Sequence, residues 1–184
     1  MGMYRRRLPH VFETDLPVFL TWSLHGSVPQ NRNFTARNVT SVAAFLSMDR
    51  LLEHTRTGPR YLAIPEIADV VVESLHYHSL SRFHLHAFVV MSNHVHSVIT
   101  PVVPIPTITR TLKSYTAKRA NELLFRRGPF WAEETFDRTL GTAEEFRRAC
   151  AYTENNPVRA GLASAPQEYR WSSAWKGGAS FTSR

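Results

Sequence analysis

Apolar and polar residues recur along this chain in patterns that predict its elements. Val18-Phe-Leu-Thr-Trp-Ser-Leu24 is β-branched and aromatic and predicts a strand. Thr35 is placed to cap a helix running to about His54, ended near Gly58-Pro59. Pro65 suits the first turn of a second helix, on which Ile67, Val70, Val71 and Leu75 share one face. Phe83 to Thr100 reads as a hairpin with its turn at Ser92-Asn93, stopped by Pro101, Pro104 and Pro106. Thr107 to Arg127 reads as a helix closed by Gly128-Pro129, and Glu133 to Leu140 as a further strand. Thr142 and Glu145 form a capping box. The helix they open is expected to end at about Asn155 or Asn156, before Pro157. This order predicts an α+β fold, a ferredoxin-like antiparallel sheet with helices packed on one face.

The 184 residues suit a single domain over 1–184, with the tail from about 163 packed on it. No repeat or low-complexity segment breaks the pattern. The lone cysteine, Cys150, excludes an internal disulfide framework and any cysteine-based zinc finger. No apolar run approaches the roughly 20 residues of a membrane span. The start, MGMYRRRLPH, lacks the apolar stretch of a signal peptide. A cytoplasmic protein without a membrane partner is therefore expected, as a monomer or a homodimer.

Charge changes the picture more than composition does. Lys+Arg number 22 against 15 Asp+Glu, a net charge of +7, and only Lys113, Lys118 and Lys176 are lysines. Arginine's planar fork suits phosphates and bases. The excess is concentrated after residue 100, whereas all nine histidines lie at or before His96. Together these suggest nucleic-acid contact and a metal or acid/base site. The densest basic stretch holds Arg110, Lys113, Lys118, Arg119, Arg126 and Arg127 against one acid, Glu122. It is either a track for a phosphate backbone or a solvated helix face. Trp131, directly after it, is either a platform for an unpaired base or a core residue. Arg5-Arg6-Arg7 forms a second basic cluster.

Three His-x-His pairs occur, at 76/78, 84/86 and 94/96. On a strand, residues i and i+2 share a face and can offer two imidazoles to one ion. His76 and His78 fall late in a helix and point apart. A two-residue turn at Ser92-Asn93 sets Val89 opposite His96 and leaves His84 and His86 on the other face of the hairpin; a three-residue loop reverses this.

Val89-Val-Met-Ser-Asn-His-Val-His96 resembles the metal-binding segment of the single-tyrosine HUH transposases, and more closely the REP-associated tyrosine transposases. The resemblance continues in order through Arg7-Leu-Pro-His10, Phe19-Leu-Thr-Trp22, Leu112-Lys-Ser-Tyr-Thr-Ala117 and Gly128-Pro-Phe-Trp131. It then takes in Tyr152-Thr-Glu-Asn-Asn-Pro-Val-Arg-Ala-Gly-Leu162 and Tyr169-Arg-Trp-Ser-Ser173. It implies a HUH endonuclease fold and a nucleoid-associated DNA strand transferase acting on single-stranded or stem-loop DNA. It implies that His94, His96 and a third ligand hold Mg²⁺ or Mn²⁺, and that a tyrosine attacks the phosphate to leave a 5′-phosphotyrosine link.

Two tyrosines compete for that role. Tyr115 falls in the apolar stripe of its helix, the place of a packed core aromatic. Tyr152 falls at the edge of its stripe, with Asn156 one turn on. The resemblance assigns the nucleophile to the tyrosine four residues before Asn-Pro, which is Tyr152. Wider relatives carry a metal-binding Gln at i+4 from their tyrosine, a spacing occupied here by Asn156, whose oxygen is a hard donor; Asn before Pro is also a common helix-ending signal. The chain departs from the family at Ser92 (usually Pro), at Ala132 (usually Gln) and at Asp137-Arg-Thr-Leu-Gly141, where an Asp-His-x-Ile-Arg pattern is usual. The Ser92 departure alters the rigidity of the turn and the other two touch expected DNA contacts, while the His pair and Tyr152 are intact. The rival readings are a non-enzymatic nucleic-acid-binding regulator on the same fold and a zinc hydrolase using several His pairs, which the lack of a Glu-containing zincin motif disfavours.

Overall fold

The computed structural model describes residues 15–27, 52 and 58–177. The helix expected from Thr35 to about His54, Leu52 apart, and the Arg5-Arg6-Arg7 cluster lie outside the described residues. Four strands, β1 (Val18–Ser23), β2 (Phe83–Val90), β3 (His94–Pro101) and β4 (Phe136–Thr139), form one antiparallel sheet in the order β2-β3-β1-β4. Among the described residues three α-helices with full ranges accompany them: α1 (Pro65–His78), α2 (Ile105–Leu123) and α3 (Ala143–Arg159). Among the described residues the order through β4 is β-α-β-β-α-β, the expected ferredoxin-like unit.

Strand alternation gives the sheet two apolar faces. Val18, Leu20 and Trp22 of β1 pack with Val95 and Ile99 of β3 under α1 and α2, which bury Ile67, Val71, Leu75, Ile108 and Leu112 there. Phe19, Val98 and Phe136 point the other way, against Phe146, Ala149, Cys150 and Tyr152 of α3. Two of the three helices therefore share a face as expected, and the third covers the opposite one. The reason is visible in β1 and β3: both faces of these central strands are buried, so each requires a cover.

The hairpin turn has two residues, with the Met91 N–H donating to His94 O at 2.9 Å and Val89 opposite His96. A β-bulge then shifts the register between Leu85 and Ala87. The extra residue reverses the alternation, so His84 stands opposite Thr100 and His86 meets Phe146 of α3 edge-on, with ring centroids 5.0 Å apart. The expectation that His84 and His86 lie on the face away from His96 is thereby corrected. Burial holds the imidazole of His86 below its ordinary pKa, with a smaller contribution from His84.

Thr142 caps α3 by accepting from the Glu145 N–H at 3.1 Å, while the Glu145 carboxylate reaches back to the Gly141 N–H. The helix does not stop before Pro157. It runs to Arg159 because Pro157 sits in the last turn, and Ala160 and Leu162 N–H groups close on the carbonyls of Asn156 and Pro157. Gly161, at φ 70°, supplies the left-handed residue that ends it. Beyond it, residues 169–173 run along β2: Tyr169 donates to Val90 O, Ser172 bridges Val89, and Ser173 N–H donates to Phe88 O.

Candidate active site

His94 and His96 open β3 on the face covered by α3, and both are fully buried. Their Nε2 atoms face each other at 3.1 Å. Each Nδ1 is held from behind: His96 Nδ1 lies 2.7 Å from Thr21 Oγ1 and His94 Nδ1 lies 2.7 Å from Asn93 Oδ1. Asn93 Nδ2 donates to the Leu52 carbonyl at 3.0 Å, which fixes the amide so that its oxygen can only accept from His94. His94 therefore carries its proton on Nδ1 and keeps the Nε2 lone pair. With that Nε2 bare, the 3.1 Å contact is a hydrogen bond donated by His96 Nε2, and His96 Nδ1 then accepts from the Thr21 hydroxyl; a cation between the rings would take the place of that proton, with Thr21 accepting from Nδ1 instead. The pair is thus a donor set with its orientation preset by second partners, as in metal sites.

Tyr152 of α3 stands over this pair. Its ring meets His96 edge-on at 6.0 Å between centroids and Phe19 at 6.2 Å, while Phe19 stacks on His96 at 5.4 Å. Its hydroxyl oxygen is buried. At ~100° per residue, Asn156 and Arg159 lie within about 40° of Tyr152 on the same helix face. The Arg159 guanidinium covers the Tyr152 ring at 4.7 Å, a cation–π contact. Asn156 is fully buried, and neither its side-chain oxygen nor its nitrogen has a hydrogen-bond partner among the described residues. An orphaned buried amide is costly, which a bound cation would offset.

The residues fit a divalent ion. Two ligands at right angles on an octahedral ion at about 2.1 Å stand about 3.0 Å apart, close to the separation of the two Nε2 atoms. No group of three or more His, Cys, Asp or Glu residues placed to hold an ion is found among the described residues. Among the described residues, an amide oxygen such as that of Asn156 is the chemistry available for a third donor.

Tyr115 corrects an expectation. It is 49% exposed, not a packed core aromatic. The buried face of α2 is made by Ile105, Ile108, Thr109, Leu112, Thr116 and Ala120. Thr109 and Thr116 enter it by donating their hydroxyls to the carbonyls of Ile105 and Leu112. Counting the threonines turns the face about 90° away from Tyr115.

The expected DNA-contact residues separate into groups. Arg110, Lys118, Arg119 and Arg127 are exposed, and Arg119 pairs with Glu122. Lys113 instead donates to the carbonyls of Ala132, Glu133 and Glu134, tying α2 to the segment before β4. Arg126 donates to Pro129 O and covers the Tyr61 ring. Trp131 is a core residue, not a surface platform: it is 7% exposed, donates to Thr116 Oγ1 at 2.9 Å and packs edge-on against Trp22 and Phe130. All of these belong to the α2 side of the sheet, opposite the face that carries His94, His96 and Tyr152. Sequence reasoning left Arg159 unassigned, although its seven-residue spacing from Tyr152 placed it on the same helix face. Thr21 carried no signal, being 75 residues from His96.

No protein-family model matches the chain, and no curated protein matches it. Among solved structures, the chain is similar to a REP-associated tyrosine transposase bound to a REP hairpin, with a TM-score of 0.55 and 16% identity over 94% of this chain and 82% of that one. It is also similar to a candidate transposase from Deinococcus radiodurans, at a TM-score of 0.36 and 17% identity over 85% of this chain and 98% of that one. The first likeness shows a common fold, the α+β architecture that the order of elements predicts.

Proposed function

We propose that this chain is a transposase-type DNA endonuclease and strand transferase with Tyr152 as its nucleophile. The observation that carries the reading is the meeting of Tyr152 with His96 across α3 and β3, on a face where two buried imidazoles are aimed at one point. His94, His96 and Asn156 would hold Mg²⁺ or Mn²⁺. Bound there, the ion supplies a Lewis acid that draws charge from a phosphate oxygen. The similar fold of a transposase bound to a hairpin supports stem-loop DNA as the substrate.

The Tyr152 oxygen attacks a backbone phosphorus, losing its proton to solvent. The bond from phosphorus to the 3′ oxygen breaks, and that oxygen takes a proton to become a free 3′-OH. The product is a 5′-phosphotyrosine, and an incoming 3′-OH reverses the exchange, since a phenolate is a good leaving group. Arg159 is exposed and sits over the nucleophile's ring. Its cation–π contact favours the ring position that meets His96.

The test is incubation with Mn²⁺ and a labelled stem-loop oligonucleotide, followed by denaturing electrophoresis. A protein-linked label is expected for the wild type and for Tyr115→Phe, and none for Tyr152→Phe. A label that survives Tyr152→Phe and vanishes with Tyr115→Phe overturns the assignment. The second reading, a non-enzymatic DNA-binding regulator, is favoured by one observation: the exposed basic residues of α2 lie on the face away from the His pair. It predicts binding without any adduct.

A further inference from the structure

Phe125 is the most exposed large apolar residue described, at 99%. It follows the last turn of α2 at φ 50°, a left-handed conformation that aromatic residues rarely adopt. The backbone is nonetheless fixed there: Phe125 and Arg126 N–H groups donate to the carbonyls of Glu122 and Asn121, and the Asn121 side-chain amide donates to Gly128 O. The ring therefore projects from an ordered corner. It borders an open concavity of about 510 Å³ lined also by Lys118, Asn121, Glu122, Arg126 and Arg127. The one acid there, Glu122, is neutralised by Arg119. The Asn121 side-chain oxygen has no hydrogen-bond partner among the described residues.

We propose that this corner of α2 is a binding site for an unpaired nucleotide, with Phe125 stacking on the base and Lys118 and Arg127 on the flanking phosphates. An aromatic face beside cations is the chemistry that single-stranded nucleic acid requires, because stacking tolerates any base and the cations follow the backbone. A surface for duplex DNA needs the cations alone, and an apolar protein partner would not be met by three basic side chains around one ring. The site lies on the sheet face opposite Tyr152, so it holds a segment of strand away from the point of attack. It rests on the DNA-partner part of the proposed function and not on the chemistry.

The test uses full-length Tyr152→Phe protein in EDTA, so that binding is read apart from cleavage. Fluorescence anisotropy compares a short oligothymidine with an abasic oligomer carrying the same number of phosphates. Oligothymidine is expected to bind about tenfold tighter. Phe125→Ala is expected to erase that preference and Phe125→Trp to keep it. Lys118→Ala with Arg127→Ala weakens both probes alike and lowers the salt slope by about 1.4. No preference in the parent, or a preference untouched by Phe125→Ala, overturns the proposal. So does a shift from dimer to monomer in Phe125→Ala with oligonucleotide affinity unchanged, which would make the corner a contact between copies. The adduct assay stands or falls independently of these outcomes.

Discussion

Asn93 decides which nitrogen of His94 carries the proton. Its amide is pinned by the Leu52 carbonyl, so its oxygen accepts from His94 Nδ1 and leaves Nε2 open toward the site. Asn93→Ala is expected to weaken Mn²⁺ binding about 10- to 100-fold, as loss of such outer partners does, read by calorimetric titration. An unchanged affinity would show that the imidazole needs no such support. Tyr169 is a second residue with a calculable consequence. Burial pushes its phenol up to about 12, and its hydroxyl donates to the Val90 carbonyl. The neutral form is the one the fold favours, so this contribution is complete below the ordinary phenol pKa near 10 and is lost as pH rises through about 12. Melting temperatures from pH 9 to 11.5 should fall less steeply for Tyr169→Phe than for wild type. At this scale His94 with His96, and Tyr152 with Asn156, are legible as locally spaced pairs, and the family resemblance is what singles them out as candidates. It conceals Thr21, which reaches His96 only through the pairing of β1 with β3.

The elements show where pattern reading succeeds and where a single residue defeats it. Alternation and the Ser92-Asn93 turn placed the hairpin and set Val89 opposite His96. The β-bulge before Ala87 leaves no compositional mark, yet it reverses the side on which His84 stands. On α2 a stripe of apolar residues alone points toward Tyr115, because threonine counts as polar there, while in the fold Thr109 and Thr116 bury themselves on the backbone of their own helix. Pro157 was expected to lie beyond the end of α3, and its position in the last turn keeps Asn156 and Arg159 on the helix beside Tyr152. The cap at the other end was legible and carries a prediction. Thr142→Ala removes the hydrogen bond to the Glu145 N–H, costs about 1 kcal/mol, and should lower the melting temperature by about 2–4 °C. A Thr142→Ser variant should retain most of the stability. If α3 anchors the nucleophile, Thr142→Ala also slows adduct formation more than it weakens DNA binding.

At the scale of the whole molecule, the sheet separates two sets of residues. Its α3 face carries the imidazole pair and Tyr152, and its α2 face carries Arg110, Lys118, Arg119 and Arg127 in the open. The contrast between early histidines and late basic charge was legible in the chain; the division between two faces was not, because it depends on α3 crossing to the far side of the sheet. The separation predicts that EDTA abolishes cleavage while leaving hairpin affinity unchanged, and that raising salt weakens binding to wild type and Tyr152→Phe alike. Equal loss of binding and cleavage in EDTA would place the metal in DNA recognition instead. The central claim is that Tyr152 and the His94–His96 pair form one reacting centre. Its most direct measurement is peptide mapping by mass spectrometry of protein treated with Mn²⁺ and a stem-loop oligonucleotide, then digested with nuclease and protease. A nucleotide remnant on the peptide containing Tyr152, absent in EDTA and in His96→Ala, is the predicted result. A remnant on Tyr115, or one on Tyr152 that forms without His96 and metal, would contradict it.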